Sequence, residues 1–338
     1  MSTVGEIGEF GLIKRISRML QTSPMVVTGV GDDCAVLRVC ERLMLVSCDL
    51  FIENVHFRRE YAPPDEIGWK ATASCLSDIA AMGGQPMFVL IALACPPSTE
   101  TYYIEALYRG ISAVASRCGA VIVGGDTSMN PEAIVLDVMG VGQAIGNRSL
   151  TRKGARPGDI LAVTGPLGLA SAGLHALQHG LDAPVLCRAH NHPRPRISEG
   201  QWLCSQAFAH AMIDISDGLT QDAGHIAESS HIGVNIDSGK LIVTPELKTY
   251  CSEHKLDPLE FILHGGEDYE LAFAMEGEHV DKATEAFGNE FRTNVNVVGE
   301  FTTEWSGVRL DGKPLSPKGY NHFLSEASIQ PPSDGSHP

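Results

Sequence analysis

Short apolar runs alternate with amphipathic stretches along the first half of the chain. Residues 43–48 and 86–94 are apolar segments of strand length, and 100–117 has the periodicity of an amphipathic helix. Between the two strands we predict a helix from about Asp65, an N-cap candidate after two prolines, to a stop at Gly83 and Gly84. Further strands are predicted at 120–123 and 133–144. This alternation of strands and helices predicts an α/β layered fold.

The second half has the same pattern after a turn-rich, basic segment at 146–158. We place the boundary there and predict two domains, at 1–148 and 149–325, followed by a tail at 326–338. The tail is predicted to be disordered because it is rich in Pro, Ser, Gly and His. The elements predicted in the second half are strands at 160–164 and 211–214, a helix at 166–178, and a helix that begins near Ser216 or Asp217.

Composition excludes several classes of function. The 338 residues are 43% hydrophobic, which is enough for two folded domains. A net charge of -16 argues against nucleic acid and against an anionic membrane as partner, because both bind basic surfaces. We find no signal peptide and no apolar run of the roughly 20 residues that span a bilayer. The nine cysteines include no C-x-x-C pair, which fits reduced thiols in a cytoplasmic protein.

The candidate chemistry lies in a set of aspartates that close predicted strands or flank glycines. Carboxylates gathered at one sheet edge repel each other unless cations neutralise them. Mg²⁺ is the natural cation, since it prefers oxygen ligands and bridges carboxylates to phosphates. The aspartates of this set are Asp32, Asp33, Asp49, Asp78, Asp126, Asp214 and Asp217. The set predicts an Mg²⁺-dependent enzyme that handles a phosphate ligand such as ATP.

Each motif also has a structural interpretation. A single Asp can be an N-cap or a turn residue, and Asp78 at a helix end can form a salt bridge. The segment GGDT at 124–127 is either an anion-binding nest or a tight turn, and GGEDYEL at 265–271 can be a solvated turn. His56 is either a ligand contact or an ordinary histidine. The chain has no Walker A, Rossmann or protein-kinase motif, so the aspartates are the main signal.

In their order, the motifs resemble those of the thiamine-monophosphate kinase family, within the aminoimidazole-ribonucleotide synthetase-like superfamily. The matching segments are GVGDDCA (29–35), SCD (47–49), VHF (55–57), LSDIAAMG (76–83), GGDT (124–127), LTR (150–152), IDISDGL (213–219), GGEDYEL (265–271) and KGYNHF (318–323). The resemblance implies ATP-dependent phosphorylation of thiamine monophosphate to thiamine diphosphate. It also implies a two-domain fold whose N-terminal sheet joins that of a second subunit in a dimeric β-barrel, hence a homodimer.

The resemblance also implies roles for individual residues. Mg²⁺ ions would be held by Asp33, Ser47, Cys48, Asp49, Asp78, Asp126, Asp214 and Asp217, of which Asp78, Asp126, Asp214 and Asp217 would be catalytic. ATP would be contacted by Gly125, Asp126, Arg152 and Ser216, and the thiamine end by His56, Glu267 and Tyr320. Cys48 departs from the Thr usual in the family, and a thiol is a poor ligand for Mg²⁺ unless the backbone carbonyl is the donor.

Two rival hypotheses remain at the level of sequence. The first is a sister ATPase that activates an amide or carbonyl oxygen by phosphorylation, which would release phosphate or form a C–N bond. The second is a non-catalytic protein that senses nucleotide or thiamine on the same scaffold. The presence of all the acidic residues argues against the second hypothesis.

Overall fold

Two mixed β-sheets, one in each half of the chain, form the framework of the protein. The structure is a computed structural model that describes residues 3–291, 293–316, 318–320 and 323. The N-terminal half contains helices α1 (Val4–Ser17), α2 (Pro64–Ala81) and α3 (Thr101–Arg117), and strands β1 (Val26–Thr28), β2 (Ala35–Val39), β3 (Arg42–Ile52), β4 (Gly84–Cys95), β5 (Val121–Met129) and β6 (Val135–Ala144).

The N-terminal sheet has the order β1-β2-β3-β6-β4-β5, and α2 and α3 pack against one of its faces. Strands β4 and β5 are parallel, with α3 in their connection, and the other pairs are antiparallel. Side chains of alternate strand positions, such as Leu45, Ile91 and Val138, pack with α2 and α3 in the core. The two helices approach closely because Gly68 and Gly110 have no side chain at their contact.

The C-terminal half builds a second sheet in the order β13-β12-β9-β11-β7-β10-β8. Its strands are β7 (Asp159–Thr164), β8 (Ala209–Asp214), β9 (Gly233–Ile236), β10 (Leu271–Glu276), β11 (Val295–Thr302), β12 (Gly307–Leu310) and β13 (Lys313–Pro314). Its helices are α4 (Leu169–His179), α5 (Pro184–Asn191), α6 (Ile197–Ser205), α7 (Leu219–Ser229), α8 (Pro245–His254), α9 (Pro258–His264) and α10 (Val280–Phe291). This arrangement is the predicted α/β architecture.

Several local predictions are corrected. Helix α2 starts at Pro64 with Pro63 as its N-cap, so Asp65 lies in the first turn. Its negative charge there interacts favourably with the helix dipole. The segment 124–127 is not a turn but the middle of edge strand β5. A side chain at Gly125 would overlap the backbone of Ile91 on β4, which explains a glycine there. Helix α7 starts at Leu219, after the predicted position.

The face of the N-terminal sheet opposite α2 and α3 carries apolar side chains that are exposed in the single chain. We call this surface the outer face and define it by Leu50, Phe88, Val121 and Met139. The pairing register places Phe88 opposite Val121 and Val141, and Met139 opposite Leu90, whereas Leu50 lies opposite Asp137 at the edge of this patch. The described part of the chain forms no closed barrel. The dimeric barrel therefore stays a prediction, and the predicted tail at 326–338 lies outside the described residues.

Candidate active site

Helix α2 is buried along nearly its whole length, and its polar side chains fall on the side that meets the C-terminal half. Lys70, Ser74, Ser77 and Asp78 are spaced at i, i+4, i+7 and i+8, which places them on one face of a helix. Ser77 Oγ donates a hydrogen bond to Asp214 Oδ2 across the two halves, at 2.7 Å. A buried helix whose polar groups point to one place indicates a site at the junction of the halves.

Three aspartates from separate segments converge at this junction. Asp33 follows β1, Asp78 lies in the last turns of α2, and Asp214 ends β8. One carboxylate oxygen of each lies within 4.8 Å of the others. Ser47 on β3 donates a short hydrogen bond to Asp78. We call Asp33, Asp78 and Asp214 the carboxylate cluster.

Burial disfavours ionisation throughout the carboxylate cluster, and repulsion between carboxylates adds to this at Asp78 and Asp214. The pKa of Asp214 is raised to about 8, first by burial and then by the charge of Asp33. Burial, followed by the charges of Asp49 and Asp214, raises the pKa of Asp78 well above its usual range. Asp49, which is half-buried, has a pKa raised by desolvation, although a hydrogen bond from Ser74 opposes the shift. Buried carboxylates whose charges repel form a donor set that fits a hard divalent cation such as Mg²⁺.

Arg152, in the segment between the sheets, ties this region to the loop after β1. Its Nε and Nη2 atoms donate to Asp33 Oδ1 at 3.0 and 2.5 Å, and its backbone N–H donates to Asp32. This cation offsets part of the negative charge. Burial and the neighbouring charge of Asp33 nevertheless raise the pKa of Asp32 to about 6.

A second acidic group lies at the start of α7. The carboxylate of Asp222 accepts hydrogen bonds from the backbone N–H groups of Asp217 and Gly218, at 3.2 and 3.0 Å. Asp217, Asp222 and His225 also bring one potential ligand atom each within 4.8 Å of the others. Gln221 donates to Asp217 Oδ2 at 2.7 Å and to the Tyr320 carbonyl at 3.3 Å. The predicted site residues Asp217 and Tyr320 are therefore connected through Gln221.

Ser216 and Glu267, predicted to contact ATP and the thiamine end, are adjacent in the structure. The backbone N–H of Glu267 donates to the Ser216 carbonyl at 2.8 Å. Gly266 packs so closely on Ser216 that a side chain there would overlap it. The turn before β10 is thereby fixed against the loop between β8 and α7.

Other predicted site residues lie apart from the carboxylate cluster. The side chain of Cys48 is on the outer face, where its thiol donates to Asp137 at 2.9 Å, whereas Ser47 is buried on the inner face. Gly125 and Asp126 lie on the exposed edge strand β5. His56 follows β3, and its Nδ1 accepts a hydrogen bond from the Ile52 N–H at 3.0 Å. The cluster of carboxylates is thus smaller than the predicted metal-ligand set.

Sequence reasoning missed part of the polar surroundings of the site. Lys70, Ser74 and Ser77 were detectable, because they recur with helical spacing within the predicted helix that ends in Asp78. His190 and Asp222 carry no comparable signal, since they reach the site only through the packing of α5 and α7. Within the described residues, no helix is long and apolar enough to cross a membrane.

Comparison with known proteins places the chain in a family. The family described as AIR synthase related protein matches with its N-terminal domain at residues 31–144 and its C-terminal domain at 156–311. Thiamine-monophosphate kinase of Aquifex aeolicus (strain VF5) is 37% identical over 323 residues, which cover 94% of this chain and 99% of that protein. The chain belongs to the thiamine-monophosphate kinase family. It is therefore an enzyme of the kinase class.

Two further members of the thiamine-monophosphate kinase family support the assignment. The thiamine-monophosphate kinase of Escherichia coli (strain K12) is 36% identical over 330 residues, covering 94% of this chain and 99% of that protein. The solved structure of AaThiL complexed with AMPPCP and TMP covers 96% of this chain and 99% of that chain, at 36% identity and a TM-score of 0.85. The family match therefore extends over both halves and the junction between them.

Proposed function

We propose that this protein transfers the γ-phosphoryl group of ATP to thiamine monophosphate, which gives ADP and thiamine diphosphate. The observation that carries the proposal is the convergence of Asp33, Asp78 and Asp214 at the junction of the two halves. The family assignment supports the choice of substrates, since a related protein is solved with AMPPCP and TMP. This reaction would then be the final step of thiamine diphosphate biosynthesis.

Several side chains of the junction would hold Mg²⁺. The carboxylate cluster together with Asp49 supplies the buried oxygen donors, and Asp217 with Ser47 extends the set. When bound, Mg²⁺ supplies positive charge that neutralises phosphate oxygens and orients them. Cys48 would take part only through its backbone carbonyl, because its thiol is on the outer face and bonded to Asp137. Asp126 would complete the set only if a ligand or a second copy bridges from β5.

The remaining groups of the site would bind and orient the two substrates. Arg152 would bind ATP through its guanidinium, which is 23% exposed and already oriented by Asp33. Ser216 and Gly125 would contact ATP from the loop after β8 and from β5, while His56, Glu267 and Tyr320 would contact the thiamine end. The attacking group is a phosphate oxygen that is ionised near neutral pH, so no strong general base is required. In-line positioning of the two phosphates would then account for most of the rate.

We also propose that two copies associate through the outer face. Leu50, Phe88 and Met139 are 50%, 38% and 38% exposed, and in the register of the sheet Leu50 and Phe88 each lie diagonally next to Met139. A contiguous apolar patch on one side of a sheet is typical of a protein interface. Association there would also bring the second copy next to β5, which carries Asp126.

One assay tests the catalytic proposal. The protein is incubated with MgCl₂, ATP and thiamine monophosphate, and thiamine diphosphate is separated by chromatography. We expect Asp78→Asn to lower kcat about a hundredfold or more, because it removes one carboxylate of the cluster. The matched control is Asp281→Asn on the exposed start of α10, which we expect to keep wild-type activity. Release of phosphate without thiamine diphosphate would refute the proposal in favour of a sister ATPase.

A further inference from the structure

A lysine on α2 is buried where the two halves meet. The side chain of Lys70 is 4% exposed, and its Nζ lies 2.7 Å from Glu267 Oε1 and 3.0 Å from His190 Nε2. These three residues come from α2, from α5 and from the turn before β10. Burying an ammonium group is unfavourable unless hydrogen bonds and an opposite charge compensate for it. The fold therefore retains Lys70 through two specific partners, which come from two distant segments.

One protonation pattern satisfies all three groups. Burial, and then the charge of Lys70, lowers the pKa of His190, so its ring is neutral near pH 7. With the proton on Nδ1, the ring donates to Glu267 Oε2 at 3.2 Å and leaves Nε2 as its acceptor; Lys70 Nζ lies 3.0 Å from Nε2 and 3.3 Å from Nδ1. Although burial alone would raise the pKa of Glu267, the charge of Lys70 and the hydrogen bonds from His190 and Lys70 outweigh it and hold that pKa well below its usual range. Both oxygens of the Glu267 carboxylate are thus held from one side.

Glu267 itself is in a constrained position. Its φ of +66° is in the left-handed region that a non-glycine residue rarely adopts, and it follows two glycines, Gly265 and Gly266. Its side chain is 27% exposed, so part of the residue remains accessible at the junction. The same residue is bonded through its backbone to Ser216, which adjoins the acidic group at the start of α7. A constrained carboxylate on a partly accessible residue is suited to accept a hydrogen bond from a ligand.

We infer that Lys70 and His190 are positioning residues, which fix the Glu267 carboxylate so that it accepts a hydrogen bond from the ring amino group of the acceptor substrate. This inference rests on the proposed function, because thiamine monophosphate supplies the amino group. Neither Lys70 nor His190 touches the transferred phosphoryl group in this account. Their contribution is therefore to acceptor binding and not to the binding of ATP.

A double-mutant cycle tests the inference. The variants are Lys70→Met, Glu267→Gln and the double variant, with KM measured separately for thiamine monophosphate and for ATP. We expect Lys70→Met to raise KM for thiamine monophosphate about tenfold or more, the loss typical of one hydrogen bond to a charged group, while KM for ATP changes less than about twofold. In the Glu267→Gln background, Lys70→Met should have no further effect on KM for thiamine monophosphate.

Two additional variants separate positioning from stability. Thr72→Val lies on the same helix and is buried to the same extent, and Thr72 Oγ1 has no hydrogen-bond partner among the described residues. It should leave both KM values unchanged. His190→Ala should reproduce the acceptor-specific rise in KM, whether or not Lys70→Met folds, and His190→Gln should restore binding in part because its amide can both donate and accept.

The outcomes also distinguish this inference from the proposed function. Equal rises in both KM values, or additive effects of Lys70→Met and Glu267→Gln, would overturn the positioning role and leave a structural ion pair. If the wild-type protein forms no thiamine diphosphate, the proposed function fails. In that case calorimetric titration of thiamine monophosphate into wild type and Lys70→Met decides the inference, and equal Kd values overturn it.

Discussion

Replacing Asp214 by Asn should make the metal-free protein more stable at alkaline pH. Asp214 is 3% exposed, and its carboxylate lies within 4.8 Å of those of Asp33 and Asp78. Two unit charges at that separation repel by about 3.5 kcal/mol with an effective dielectric constant of about 20. Asn keeps the size of the side chain, and its oxygen can still accept the hydrogen bond from Ser77.

The pH dependence follows from the raised pKa. Burial and the charge of Asp33 raise the pKa of Asp214 from 3.8 to about 8, so the folded protein binds this proton more tightly than the unfolded chain does. Its stabilising contribution is therefore complete below pH 4 and is lost as the pH rises to about 8. Between pH 5 and pH 9 the loss is about 4 kcal/mol at 1.36 kcal/mol per pKa unit, close to the Coulomb value.

The assay is urea unfolding in EDTA at pH 5, 7 and 9, for wild type and Asp214→Asn. We expect the free energy of unfolding of wild type to fall relative to that of the variant by about 4 kcal/mol over this range. Added MgCl₂ should stabilise wild type at pH 9 and should stabilise the variant much less. Asp281→Asn, at an exposed position, is the control for loss of a negative charge. Parallel pH profiles of wild type and Asp214→Asn would refute the electrostatic account of the cluster.

Two further predictions concern the framework. Phe88→Glu on the outer face should convert a dimer to a monomer in sedimentation velocity. Tyr102→Glu, at an exposed position on α3, is the control and should leave the dimer intact. A dimeric Phe88→Glu protein would exclude this interface. Gly110→Ala should lower the free energy of unfolding by about 2–3 kcal/mol, because the methyl group would overlap the backbone of Asp65. Gly288→Ala in α10, where there is space, should be neutral or stabilising, and equal effects of the two changes would contradict the packing argument.

The sequence predicted the strand-end aspartates better than it predicted their neighbours. Asp33 follows a glycine-rich turn, Asp214 ends a strand and Asp78 lies near the end of the predicted helix, and the fold brings the three together. The same reasoning failed for 124–127, because glycines that favour turns also allow close approach of neighbouring strands, and only the contact with Ile91 distinguishes the two. Local signals of one segment cannot report what packs on it from a distant one.

Buried helices limit sequence prediction for a related reason. Helix α2 packs against the N-terminal sheet, α3 and α6, so most of its residues are apolar or small and its amphipathic period is weak. The residues that bind Lys70 therefore cannot be predicted from the sequence of the helix itself. Short helices such as α5 and α6 were missed because each has about two turns and they flank the proline-rich segment 193–196.

The length of α2 has a consequence for which substrates the enzyme can select. Lys70 and Asp78 are eight residues apart, so the anchor of Glu267 and the carboxylate cluster are separated by about 12 Å along a rigid helix axis. Because α2 is packed on all sides, this separation cannot adjust to the ligand. If the acceptor spans from Glu267 to the carboxylate cluster, as proposed above, an acceptor that is shorter or longer by one phosphate group would not place its ring and its reacting end correctly at the same time.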